Sequence, residues 1–346
     1  MDHSCRSPTG ATSWAPEKRV LELSCAYLAL TGYVYACGAS LPRVEGVVVP
    51  LITPFTSDGK VDYDAFEWHV KRLVDGDVSG LFPNSTTGEF VHVTFDEALR
   101  LVKAAVAATP SSIMVLPGVS SLRTEDSVRM AREFVNVGAD GVVVLPPFFF
   151  RSSEEMAYRH FSAVAKSVDV PVIIYNNPLN TGVVVPVSTY VRLASEFSNV
   201  MAAKVTYADF SYLVELIRDV KAVRKDFTVL TGLDYMFLPT LLVGGDGVVP
   251  GLGNIAPELY VGLYRAFNSR DWDGVVRLNR AVLQLSRLYW LTGQGVEPPA
   301  TIKAVLEAIG APVKRYVREP LRPLNDEEVK KALEIFNEAK SEAAIK

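Results

Sequence analysis

Cysteine is scarce and confined to one end: Cys5, Cys25 and Cys37 are the only three in 346 residues. From residue 38 onward neither a disulfide nor thiol chemistry is available, which excludes a disulfide scaffold and a cysteine nucleophile for the bulk of the chain. Histidine is equally thin. His3, His69, His92 and His160 show no ligand spacing, so each reads as a packed or solvated residue and no metal site is expected. An excess of either charge is also missing. Thirty-five basic residues against thirty-nine acidic ones leave a net charge of −4, which gives no electrostatic reason to expect nucleic acid or a membrane as partner. Finally, no glycine-rich dinucleotide fingerprint follows the first apolar run, which counts against an open, doubly wound sheet.

What is present begins with a segment unlike the rest. Residues 1–43 have a polar, Ser/Thr/Pro-containing start, then Lys18-Arg19 and a largely apolar stretch from Val20 to Ala39. Basic and apolar parts in that order superficially match a secretory signal. Glu22, Ser24, Thr31 and three tyrosines make the stretch less apolar than a spanning helix. A packing or interfacial helix and an upstream extension of little consequence are favoured over a signal, because the remaining chain reads as a cytoplasmic metabolic enzyme.

From Val44 the organisation is regular. Apolar, β-branched runs recur at 46–55, 80–84, 113–119, 141–150, 170–177, 200–206, 227–233 and 247–251, and segments of helical periodicity lie between them. Helix starts are marked by Thr94-Phe95-Asp96-Glu97 and Ser152-Ser153-Glu154-Glu155. Eight alternating units with continuously apolar strands predict an α/β fold, a (β/α)8 TIM barrel over 44–268 whose parallel sheet is buried on both faces. Three further helical patterns, over 272–291, 301–309 and 326–339, predict a C-terminal helical appendage over 269–346 and not a second catalytic domain.

In such a barrel the functional groups stand at the carboxyl ends of the strands. Those ends carry Thr53-Pro54-Phe55, Asn84 to Glu89, Pro146 to Phe150, Tyr175-Asn176-Asn177-Pro178, Lys204, Gly232-Leu233-Asp234 and Gly251-Leu252-Gly253-Asn254. Lys204 is the most informative, because it lies inside Val200-Met201-Ala202-Ala203-Lys204-Val205. A buried ammonium costs several kcal/mol unless it is paired or deprotonated, and the free amine is a nucleophile for carbonyl carbon. Many lysines at strand ends simply snorkel to water, so Lys204 gains weight from its neighbours. Gly251 allows close backbone approach beneath a substrate, with phosphate binding as the alternative use of that loop.

Thr53-Pro54-Phe55, Ser85-Thr86-Thr87-Gly88-Glu89, Tyr175-Asn176-Asn177-Pro178 with Thr181-Gly182, and Lys204, in this order and spacing, resemble the dihydrodipicolinate synthase and N-acetylneuraminate lyase family of class I, pyruvate-dependent aldolases. The similarity runs from about Val44 to the C-terminus. It implies that Lys204 forms the imine with pyruvate or another 2-keto acid, without a cofactor or metal, and that Tyr175 moves the protons. It further implies that Thr86, Thr87 and Gly88 bind the keto-acid carboxylate, and that the working form is a homo-oligomer, a dimer or tetramer.

Two departures bear on substrate choice. Phe148-Phe149 stands where dihydrodipicolinate synthases typically carry a tyrosine pair, whose second member crosses the subunit interface to complete a proton relay, and phenylalanine cannot relay a proton. Asn180 stands where those enzymes carry an arginine that clamps the carboxylate of aspartate semialdehyde. The expectation is therefore a Schiff-base lyase or aldolase that cleaves a 2-keto-3-deoxy sugar acid to pyruvate and an aldehyde, with Phe149 and Asn180 shaping the aldehyde end. Condensation of pyruvate with aspartate semialdehyde is the runner-up. A keto-acid or sugar-acid binding protein with little turnover is the alternative from another class.

Overall fold

Strands that are apolar on both faces need cover on both, and helices between successive parallel strands provide it. The computed structural model describes residues 41–292 and 298–344; residues 1–40 of the extension, with all three cysteines, lie outside the described residues. Eight strands form among them: β1 (Gly46–Pro50), β2 (Gly80–Phe82), β3 (Met114–Val115), β4 (Val142–Val144), β5 (Val172–Asn176), β6 (Val200–Val205), β7 (Thr228–Thr231) and β8 (Gly247–Val248). Every pairing is parallel, in the order β3-β2-β1-β8-β7-β6-β5-β4. The two ends of that order meet just past β3. Gly118 bridges Val143 in parallel, and Val119 N donates to Val143 O while Val143 N donates to Pro117 O, each at 2.9 Å. The sheet is thereby closed into a (β/α)8 barrel.

Strand alternation divides the core. Val48, Phe82, Leu116, Val143, Ile173, Tyr175, Ala202 and Leu230 cluster inside the barrel. Val47, Val49, Val144, Ile174, Ala203 and Val229 face the surrounding helices. Lys204 is two residues beyond Ala202 on β6, so the same parity points it inward.

Most strands end earlier than their apolar runs. After β4 the run continues to Phe150, but Pro146 and Pro147 have no N–H to give a ladder and the chain leaves the sheet. Helix starts follow the local chemistry closely. Thr94 and Glu97 form a reciprocal capping box at the start of the helix Phe95–Ala108, and Ser153 accepts from Met156 N to open the helix Glu154–Ala165.

The helices Trp272–Ser286, Pro298–Ala308 and Asp326–Glu342 follow the eighth unit. Their Val282, Ile302, Val305, Ile335 and Phe336 join the same hydrophobic cluster as Leu51, Phe55 and Val248 of the barrel. Among the described residues no helix is long and apolar enough to cross a membrane.

Candidate active site

Lys204 and Tyr175 are direct partners across the β5–β6 ladder. Lys204 is 4% exposed, with its Nζ 4.0 Å from the centroid of the Tyr175 ring and 4.9 Å from that of Phe82. Burial pushes the Lys204 amine below the usual lysine range, while the facing Tyr175 and, more weakly, Asp234 pull it the other way. The net direction is downward, so more free amine exists at neutral pH than for an exposed lysine.

Burial alone would raise the Tyr175 phenol. The charge of Lys204, together with hydrogen bonds from Thr206, Thr86 and Lys204, outweighs it and leaves the phenol below its ordinary value. Thr206 Oγ1 donates to Tyr175 Oη at 3.3 Å and Asn177 Nδ2 donates at 3.0 Å. Donors aimed at an oxygen favour its anion, which makes Tyr175 a candidate proton carrier.

Gly232, just past β7, is what lets these groups meet. A Cβ there would lie 2.0 Å from Thr206 Oγ1 and 3.0 Å from Lys204 Cε. Thr86 and Thr87 ride on a loop pinned from below: Gly88 N donates to Ser85 Oγ at 3.0 Å, and Thr53 Oγ1 donates to Gly88 O at 2.7 Å. That leaves the two threonines facing a cavity of about 460 Å³ shared with Lys204, Tyr175, Asn180 and Gly251. A larger hollow of about 860 Å³ lies at the opposite, N-terminal end of the strands, around Arg43, Ser79 and Tyr264, where barrels of this kind do not place chemistry.

Phe149 stands apart from this group. It does not line the cavity in the single chain, its φ is 84°, and the residue is 84% exposed beside Phe150. Phe148 packs edge-on against Phe90 at 6.4 Å.

Sequence reading passed over the far wall. Asp234, 1% exposed, accepts from Tyr260 Oη at one carboxylate oxygen and from Tyr289 Oη, at 2.7 Å, at the other. Burial raises its carboxyl to about 6, against the pull of those two hydroxyls. Tyr289 Oη also accepts from Leu252 N at 3.2 Å, which occupies an amide of the glycine-rich loop. Asp234 had a signal in its place at a strand end. Tyr289 and Trp290 line the cavity from beyond the eighth unit, where no rule of barrel anatomy directs attention.

Asn177 adds a further polar group. Its Oδ1 is buried with no hydrogen-bond partner among the described residues, while its Nδ2 is committed to Tyr175. Among the described residues no cluster of three or more His, Cys, Asp or Glu could hold a metal ion.

A lysine and a tyrosine paired across adjacent strands, beneath a Thr-Thr-Gly loop at the mouth of a parallel barrel, bring a buried amine and a phenol to one cavity. Residues 43–339 match the model of the dihydrodipicolinate synthetase family. An uncharacterised DapA-like lyase of Thermofilum pendens is 42% identical, over 86% of this chain and 97% of that one. A protein named as a probable 2-dehydro-3-deoxy-D-pentonate aldolase of Escherichia coli is 33% identical, over 83% of this chain and 94% of that one. Among solved structures, a prophage protein of the dihydrodipicolinic acid synthase family from E. coli K12, in complex with pyruvate, matches with a TM-score of 0.82 and 30% identity, over 86% of this chain and 98% of that one. The chain belongs to the dihydrodipicolinate synthetase family, and it is an enzyme of the lyase and aldolase class.

Proposed function

We propose that the chain is a Schiff-base lyase that cleaves a 2-keto-3-deoxy sugar acid to pyruvate and an aldehyde. Lys204 adds through Nζ to the C2 carbonyl and water leaves, giving the imine. Tyr175 takes the proton of the C4 hydroxyl, the C3–C4 bond breaks toward the imine nitrogen, and the aldehyde departs. Protonation at C3 and hydrolysis then release pyruvate and restore the amine. Thr86 and Thr87 hold the carboxylate through hydroxyls and loop amides. Thr206 and Asn177, from the same chain, hold the phenol that Phe149 cannot assist.

The observation that carries the substrate class is the charge of the cavity wall. Among the described residues that line it, Lys204 is the sole cationic side chain. A substrate whose aldehyde half bears its own carboxylate would find no guanidinium to pair with, whereas a neutral polyol finds Asn177 Oδ1, Asn180 and Tyr207. The E. coli relative named as a pentonate aldolase supports this reading. A 4-hydroxy-tetrahydrodipicolinate synthase of Methanopyrus kandleri, 31% identical, supports the runner-up. The exposed Phe149, Phe150 and Leu179 support a homo-oligomeric working form, a dimer or tetramer.

The decisive comparison is kcat/KM for pyruvate release from 2-keto-3-deoxy sugar acids against condensation of pyruvate with aspartate semialdehyde. The sugar acid is expected to win by at least about tenfold, roughly 1.4 kcal/mol in transition-state binding. Equal or faster condensation refutes it in favour of the synthase. Borohydride trapping without turnover on either substrate refutes it in favour of a binding protein.

A further inference from the structure

Glu89 closes the Ser85-Thr86-Thr87-Gly88-Glu89 motif yet does not face the cavity. Its backbone is left-handed, φ 56°, and Glu89 N donates back to Thr86 O at 3.1 Å. The side chain thereby turns away from the mouth, toward the C-terminal helices, where it is fully buried.

There it meets Lys303, on the helix Pro298–Ala308, whose side chain is 0% exposed. Lys303 Nζ donates to Glu89 Oε1 at 2.5 Å and to Tyr316 O at 2.9 Å, and sits 4.3 Å over the Phe55 ring. Glu89 Oε2 accepts from Arg318 N at 3.2 Å and has His92 Nδ1 at 3.5 Å. The Arg318 guanidinium caps the same Phe55 ring at 4.5 Å and donates to both oxygens of Glu97. Neither Lys303 nor Glu89 lines the cavity.

A buried ion pair is a weak source of net stability, since desolvation cancels most of the attraction, but it fixes geometry because neither partner tolerates losing the other. This one clamps the residue immediately after Thr86-Thr87-Gly88, while Thr53 and Ser85 fix the loop from the barrel side. We propose that Glu89 and Lys303 are positioning residues for the keto-acid carboxylate: the pair sets the loop that presents Thr86 and Thr87, so the C-terminal region completes the binding site. The inference rests on the Schiff-base reading above.

It is tested on the full chain with pyruvate as probe, in Lys303→Met, Lys303→Arg and Glu89→Gln. The pyruvate concentration giving half-maximal borohydride trapping is measured beside thermal unfolding. Met removes the charge at similar length, and Gln sets an amide donor against the Lys303 and Arg318 donors. Half-saturation is expected to rise at least about tenfold in Met and Gln while the trapping rate at saturating pyruvate stays within about threefold, with Arg recovering part of the loss. If the parent is labelled at Lys204 and a folded Met or Gln variant half-saturates at the parental concentration, the positioning role is overturned and the Schiff-base reading stands. If neither variant folds, the pair holds the whole fold and the proposal is likewise overturned. An unlabelled parent overturns both readings together.

Discussion

Gly232→Ala adds one methyl group to the protein, directly against Thr206 and Lys204. Gly232 has no positive φ, so alanine introduces no backbone strain and the effect is purely steric. The new Cβ would lie 2.0 Å from Thr206 Oγ1, 3.2 Å from Thr206 Cβ and 3.0 Å from Lys204 Cε, against an ordinary contact of about 3.5–4.0 Å. The Thr206 hydroxyl must therefore move by more than about 1 Å, breaking its bond to Tyr175, and the Lys204 stem by about half an ångström. Overpacking of this kind costs about 1–3 kcal/mol, which in a chain of this size lowers Tm by several degrees. Misplacement of reacting groups by about 1 Å costs on the order of 10²-fold in rate. Thermal denaturation and a pyruvate-release assay on the purified variant read the two effects separately. Turnover within about threefold of the parent would refute the claim that Gly232 sets the distance between Lys204, Thr206 and Tyr175.

Tyr175→Phe keeps the ring that packs on Lys204 and removes the hydroxyl. Turnover is expected to fall by about 10²–10⁴-fold while borohydride still labels Lys204, slowly; near-parental turnover would remove Tyr175 as the proton carrier. Asp234→Asn tests the far wall through pH. A carboxyl at about 6 in the folded state, against about 3.9 unfolded, binds its proton more tightly when folded. Its contribution is therefore complete below about pH 4 and is lost as pH rises through about 6, a difference of about 3 kcal/mol. Urea unfolding of parent and variant across that window should show the parent losing stability relative to Asn; a gap that stays constant with pH would refute the raised carboxyl.

Local signals carried much of this architecture. The capping pair Thr94 and Glu97 and the apolar runs marked helices and strands, because both depend on neighbours within a few residues. Lys204 stood out for the same reason: an ammonium in an apolar strand is an anomaly at the level of six residues. The groups that tune it were not legible. Gly232 reads as an ordinary turn residue until closure brings Thr206 and Lys204 against it. Glu89 belongs to a motif that reads as lining the mouth, yet its left-handed backbone sends the side chain toward Lys303, 214 residues away. Asp234 and Tyr289, 55 residues apart, meet only because the C-terminal helices pack across the strand ends. Such contacts are properties of closure, and no local pattern encodes them.

The central claim is that Lys204 is the nucleophile. Incubating the full chain with pyruvate and sodium borohydride, then mapping the adduct by mass spectrometry, tests it most directly. One reduced pyruvyl group per chain on Lys204, absent in a folded Lys204→Ala variant that has also lost pyruvate release, is the expected result. An adduct on another lysine, or a fully active chain that borohydride leaves unlabelled, would contradict it.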